Sequence, residues 1–114
     1  MLRLKQRWQF LRVASEGRKW VAPGMIVQAC QQEEVNSGEK FRVGYTVSKK
    51  VGGAIDRNRA RRRLKAAAER IMPQHARPGY DFVLIGRRKT IDVAFNKLMN
   101  DLETALRKLD AYEE

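Results

Sequence analysis

Residues 42–65, RVGYTVSKKVGGAIDRNRARRRLK, carry nine Lys or Arg and a single acid, Asp56. Six of the nine residues from Arg57 to Lys65 are basic. A solvated helix ordinarily mixes its charges, because like charges one turn apart repel. A helix this one-sided needs a polyanion to neutralise it. The run follows an alternating strand and a Gly-Gly loop, so it is part of a fold and not a loose tail. The partner it implies is a nucleic acid.

Hydrophobic periodicity supplies the surrounding elements. Leu4, Trp8 and Leu11 recur at i, i+4 and i+7 and mark one face of a first helix, which Gly17 ends. Phe10, Val13 and Ala14 lie on a different face. Trp20-Val21 suits a short extended piece before Pro23-Gly24 turns the chain, and residues 25–30 read as a strand. The polar stretch 31–40, with Asn36-Ser37-Gly38, reads as a hairpin loop. Phe41, Val43, Tyr45 and Val47 alternate with Arg42, Gly44, Thr46 and Ser48, giving a strand with one apolar face and one polar or small face. Asp56 suits the N-cap of the basic helix, which runs to about Met72 before Pro73 stops it. Residues 80–86 form a short apolar run without alternation, as expected of a strand covered on both faces. Thr90 or Asp92 opens a last helix whose core face carries Phe95, Leu98, Met99, Leu102, Leu106 and Leu109. The order is α-β-β-α-β-α, with room for one extra short strand early. The simplest architecture is one α+β domain over residues 1–114, with three helices packed on a small mixed sheet.

Composition agrees with that reading. A chain of 114 residues is one domain with one modest core. Charged residues at 32% and apolar residues at 43% suit a soluble globular protein and argue against disorder. A net charge of +11 and a pI of about 10.4 make a nucleic-acid footprint the leading hypothesis. No run of 18 apolar residues is present to span a bilayer. The lone Cys30 excludes an internal disulfide and reads as a buried, inert thiol. The N-terminal segment is basic, but Gln6, Arg7 and Gln9 interrupt any secretory hydrophobic region. Its amphipathic, acid-poor character also matches an organellar transit peptide, against which stands its membership of the fold. A reducing, cytoplasmic setting follows.

At about 100° per residue, Ala60, Leu64, Ala67, Ala68 and Ile71 fall on one arc of the basic helix, its buried face. Asn58, Arg61, Arg62 and Lys65 occupy a broad exposed arc, and Arg59, Arg63 and Arg70 the other flank. A planar guanidinium can grip phosphate with paired hydrogen bonds and stack on a base. Asn58 adds a neutral donor and acceptor suited to a sugar hydroxyl or a base edge. Lys49 and Lys50 end the strand and enter Val51-Gly52-Gly53, where glycine permits positive φ and close backbone approach. No G-x-x-x-x-G-K-[ST] nucleotide loop is present. The single histidine, His75, falls in a loop over residues 73–79, and no partner residues accompany it for a zinc site. Asp101, Glu103, Asp110, Glu113 and Glu114 read as a solvated face of the C-terminal helix and tail, without the company a two-metal nuclease needs.

The stretch RVGYTVSKKVGGAIDRNRARRR resembles the signature of the bacterial ribonuclease P protein component: a strand ending in Val47-Ser48-Lys49-Lys50, a short loop, then a helix opening with Arg57-Asn58-Arg59. The flanking elements follow in the family's order, so the resemblance covers nearly the whole chain. It implies an unusual left-handed βαβ crossover, where general chirality rules give a right-handed one. Phe10 either stacks on a base or completes the core, and the residues alone favour the core. The resemblance instead implies a cleft between the first helix and the sheet that holds the 5′ leader of precursor tRNA, with Phe10 on its wall and Thr46 and Ser48 on its floor. Stacking tolerates any base, which suits many leaders. The sequence departs from the family pattern at Ala14 and Gln28, where many or some members carry aromatics.

The expectations are these. The chain is the protein subunit of ribonuclease P, an endoribonuclease whose RNA subunit hydrolyses the phosphodiester with Mg²⁺ bound mainly by that RNA and the substrate. Arg57, Asn58, Arg59, Arg61, Arg62 and Lys65 face RNA, mostly the catalytic RNA, with Lys49 and Lys50 nearer the leader. The partners are the catalytic RNA and precursor tRNA, with no membrane and no protein partner required. Charge and size alone also allow a small ribosomal protein or a major-groove DNA binder, although no helix-turn-helix precedes the basic helix.

Overall fold

The computed structural model describes residues 1–33 and 40–114. Among the described residues are eight helices and strands and two 3-10 turns. They are β1 (Leu2–Arg3), α1 (Arg7–Glu16), β2 (Arg18–Val21), β3 (Met25–Gln31), β4 (Arg42–Thr46), α2 (Ala54–His75), β5 (Tyr80–Gly86) and α3 (Phe95–Lys108). The 3-10 turns are Lys49–Val51 and Arg88–Ile91. The strands form one mixed sheet in the order β1-β4-β5-β3-β2. Strand β5 lies parallel to β4 and antiparallel to β3, so α2 is a crossover between adjacent parallel strands.

The unbroken apolar run of β5 is explained by cover on both faces. Phe82 and Leu84 point into the larger core with Ala60, Leu64, Ala67 and Met72 of α2 and Leu98, Leu102, Ala105 and Leu106 of α3. Val83 points the other way, into a small cluster with Leu4, Val13 and Cys30 that Phe10 and Ile85 complete. The buried arc expected of the basic helix is therefore buried in fact, and the core face of α3 gains Ala105.

Several local expectations are corrected. Leu4 precedes α1 in an extended segment, its amide bonded to the Val43 carbonyl at 3.0 Å, and Trp8 and Leu11 are 61% and 54% exposed. The helix docks through Phe10 and Val13 instead. Gly44 is the reason: a β carbon there would lie 2.5 Å from Phe10 Cε2, so only glycine admits the ring. The 31–40 connection is not a hairpin, because β3 and β4 lie on opposite sides of β5. Its ends are tied across the start of β5, with Gln32 N–H on the Gly79 carbonyl and Gly79 N–H on the Lys40 carbonyl. Asn36, Ser37 and Gly38 themselves lie outside the described residues.

The basic helix is longer than expected at both ends. Its N-cap is Gly53, and Asp56 sits in the first turn, where a carboxylate still complements the helix dipole. Pro73 lies inside the helix, which continues to His75. Proline there forgoes only its own amide bond near the exposed end, while Ile71 and Met72 hold the last turn in the core. Thr90 does not open α3. It is fully buried, accepts the Arg87 N–H and donates to the Gly24 carbonyl, and thus caps the Arg88–Ile91 turn. Asp92 follows that turn, and α3 starts after Ala94. Trp20 and Val21 belong to β2, an exposed edge strand, and β1 is a further short strand.

Leu64→Ala is expected to lower the unfolding free energy by about 2–5 kcal/mol, read from urea denaturation. Ile55→Ala, at a side chain 84% exposed, should change it by less than about 0.5 kcal/mol. Equal midpoints for the two variants would contradict the packing of α2 on the sheet.

Candidate nucleic-acid interface

The interface is organised around the joint between β4 and α2. Val51 is buried and anchors the Lys49–Val51 turn, leaving Lys49 and Lys50 exposed on either side of the backbone bend. Gly52 follows with φ +153, a conformation that favours glycine, and packs against the Asp56 side chain. Two guanidinium groups hold the bend. Arg88 donates to the Val51 carbonyl at 2.9 Å and Arg57 to the Gly52 carbonyl at 3.3 Å. Arg57 is thus partly committed to shaping the loop. Arg88 was not expected from the sequence, since nothing in the Arg87-Arg88-Lys89 run after a strand reveals a carbonyl 37 residues away.

Along α2 the cations divide into two sets. Arg59 donates to the Ile91 carbonyl at 2.8 Å, and Arg63 donates to Ile91 at 2.8 Å and to Val93. These two tie the helix to the segment before α3. On the other side Asn58, Arg61, Arg62 and Lys65 line an open groove with Ile55, and Arg61 donates to Asn58 Oδ1 at 3.4 Å. Among the described residues, no acid lies within ion-pair distance of any cation from Arg57 to Lys65. That surface is positively charged without internal compensation.

Arg61 also reaches a second groove, lined by Arg7, Phe10, Leu11, Tyr45, Thr46 and Val47. The structure therefore brings Phe10 and Thr46 together and joins them to the α2 cations. Ser48 is exposed at the start of the Lys49–Val51 turn and does not line this groove. Phe10 has both roles weighed for it: it closes the small core cluster and remains half-exposed at the groove. Gln28 is half-buried on β3 and Ala14 is exposed on α1. Arg7, Leu11 and Tyr45 were not singled out. Tyr45 falls in the apolar phase of its strand, which hides an accessible ring among core positions.

The remaining chemistry-bearing groups are structural. Cys30 is buried and free, and burial pushes its thiol pKa up while nearby Arg12 opposes that shift. His75 lies in the last turn of α2 rather than a loop. It stacks on Tyr112 with centroids 4.6 Å apart, and its Nδ1 is 2.8 Å from the Glu113 carbonyl oxygen. Asp101 is not merely solvated, for its carboxylate accepts the Gly24 N–H at 2.8 Å. Among the described residues no group of three His, Cys, Asp or Glu could hold a metal ion. No described helix is long and apolar enough to cross a membrane.

A mixed sheet whose crossover helix carries uncompensated cations beside an aromatic groove defines a small basic RNA-binding protein of the α+β class. The family model described as Ribonuclease P matches residues 1–110. The ribonuclease P protein component of Paramagnetospirillum magneticum is 47% identical over 113 residues, covering 98% of this chain and 85% of that one. That of Ruegeria pomeroyi is 48% identical over 109 residues, covering 95% and 86%. Among solved structures, the Staphylococcus aureus RNase P protein superposes with a TM-score of 0.80 at 26% identity, covering 99% of both chains. The Thermotoga maritima protein gives 0.74 at 26% identity, covering 96% of both. This chain belongs to the ribonuclease P protein family, the protein component of an endoribonuclease. Membership separates it from the ribosomal and DNA-binding alternatives.

Arg63→Ala should destabilise the fold by about 1–3 kcal/mol, because two carbonyls lose a charged donor. Arg62→Ala, on the exposed arc, should stay within about 0.5 kcal/mol. Chemical denaturation of both variants distinguishes the structural flank from the free one, and the reverse order would exchange their roles.

Proposed function

We propose that this chain binds the catalytic RNA of ribonuclease P and the 5′ leader of precursor tRNA, and so assists cleavage at the mature 5′ end of tRNA in the cytoplasm. The observation that carries the reading is the uncompensated cationic arc of α2 meeting the Phe10 groove at Arg61. Asn58, Arg61, Arg62 and Lys65 contact the catalytic RNA. Arg57 and Arg59 also contribute positive charge there, although each holds a backbone carbonyl of its own fold. Phe10 and Thr46 receive the leader, and Lys49 and Lys50 flank it with Ser48 beside them, outside the groove.

The protein's part is electrostatic and positional. Its guanidinium groups donate to phosphate oxygens, lower the repulsion between two RNAs, and orient the leader strand. Mg²⁺ belongs to the RNA subunit and substrate. No side chain of this chain is assigned to activate water, and none is needed if the RNA performs hydrolysis.

Binding of the purified chain to its catalytic RNA should be salt-sensitive. Neutralising on the order of four to six phosphates gives a slope of log K against log[salt] of roughly −3 to −5. Arg62→Ala should reduce that slope by about 1. A slope near zero measured by filter binding would remove the electrostatic reading.

Phe10→Leu keeps an apolar plug over Gly44 but removes the aromatic face. In the reconstituted ribonucleoprotein it should weaken precursor tRNA by about 1–3 kcal/mol, the scale of one lost base stack, and mature tRNA hardly at all. Titration of both tRNAs measures the difference. An equal loss for the two ligands would assign Phe10 to the core alone.

A further inference from the structure

A recess of about 190 Å³ adjoins the Phe10 groove, lined by Leu2, Arg3, Val43, Tyr45, Lys65 and Glu69. Tyr45 lines both cavities. The strand edge explains the opening. Strand β1 pairs with only Arg42 and Val43 of β4, and Leu4 adds one bond to the Val43 carbonyl. Beyond that point no strand among the described residues covers the outer edge of β4, and Tyr45 is left half-exposed.

Two cations on long side chains lie over the ring. Arg3 Cζ lies 5.5 Å from its centroid and Lys65 Nζ 5.8 Å. Glu69 follows Lys65 by one turn of α2, a spacing at which Lys and Glu commonly pair. Here they do not. Among the described residues, Arg3, Lys65 and Glu69 form no ion pair within 4.0 Å. The recess thus combines an aromatic ring with two cations over it and a carboxylate that forms no ion pair with either. Its volume is below the roughly 300–1,000 Å³ of pockets for drug-sized ligands and suits a single ring system.

We infer that this recess is a nucleotide subsite: one unpaired base of single-stranded RNA stacks on Tyr45, its flanking phosphates meet Arg3 and Lys65, and Glu69 reads its edge. The inference rests on the proposed RNA reading of the adjoining groove and extends the RNA path across the open edge of β4. Burial pushes the Tyr45 phenol up to about 12, so the ring stays neutral beside phosphate across the physiological range. An ionised carboxylate only accepts hydrogen bonds. Guanine offers it two adjacent donors, N1–H and N2–H₂. Uracil offers one N–H between two carbonyls that repel it. The subsite therefore prefers guanine to uracil.

The test uses the purified full chain and fluorescein-labelled single-stranded RNA, an oligouridylate heptamer and the same heptamer with guanine substituted at each position in turn. Tyr45→Leu preserves apolar fill and removes the aromatic face. It should weaken the best guanine-containing heptamer about tenfold, within the range of one lost stack, and Tyr45→Phe should restore binding. Glu69→Gln, at an exposed position, should narrow the preference for guanine over uracil without altering the melting temperature. Arg61→Ala and Phe10→Leu are titrated alongside. If they weaken binding while Tyr45→Leu binds as wild type, the subsite is overturned and the groove reading stands. If all three bind as wild type, the groove reading falls with it. Should Tyr45→Leu fail to fold, Glu69→Gln decides, and an unchanged base preference overturns the inference.

Discussion

The rest of the structure depends on how closely α2 lies on the sheet. Ala60, Leu64, Ala67 and Ala68 are fully buried, and three of the four are alanine. Small side chains let the helix backbone approach β4 and β5, while Leu64 fills the space between them. This contact forces every long cation of the helix away from the sheet. The cost is repulsion along the helix, for Arg57/Arg61, Arg59/Arg63 and Arg61/Lys65 are like charges at i,i+4. Such pairs cost about 0.2–0.5 kcal/mol each. Burying Leu64 alone contributes about 1.5–3 kcal/mol, enough to offset all three. The fold can therefore hold a strained charge distribution until RNA neutralises it.

Three of the helix's cations are relieved within the protein. Arg59 and Arg63 direct their guanidinium groups to carbonyls in the segment before α3, where they meet partial negative charge. Arg57 and Arg88 do the same for the bend that presents Lys49 and Lys50. Arginine in this chain is repeatedly a structural residue. Composition registers a charge of +11 but cannot distinguish a guanidinium facing solvent from one facing a carbonyl.

That distinction marks the boundary of what was legible in the sequence. The buried stripe of α2, the doubly covered β5 and the core face of α3 were readable because each is long enough to express its period. The α1 face was not. A helix of ten residues on the rim of a small sheet buries little, and its rotation is decided by a hole at Gly44 that lies far away in sequence. The supposed hairpin failed for a related reason: turn residues announce a reversal but not which strand inserts beside the first. At the interface, the exposed α2 arc was read from its residue types, whereas Phe10 was placed at a groove only by the family resemblance, the residues alone favouring the core. Tyr45 was missed because its alternation with Arg42, Gly44 and Thr46 matches a core strand, and only the shortness of β1 exposes it.

The face of the sheet beneath α1 shows how charge is distributed, not merely accumulated. At one end Asp81 is buried and compensated. Arg42 donates to both its oxygens at 2.7 Å, Gln32 donates at 3.1 Å, and Arg12 of α1 lies 3.8 Å away. Arg12 also donates to the Gln31 carbonyl at 2.7 Å, which fixes α1 to the end of β3. At the other end, Arg7 and Arg61 line the open groove without an acid partner among the described residues. A compensated pair has a field that dies away quickly, whereas uncompensated charges act out to about the 8 Å screening length of physiological salt. The positive field therefore reaches into solvent at the Thr46 end of the sheet, while the Asp81 end serves to hold α1 still.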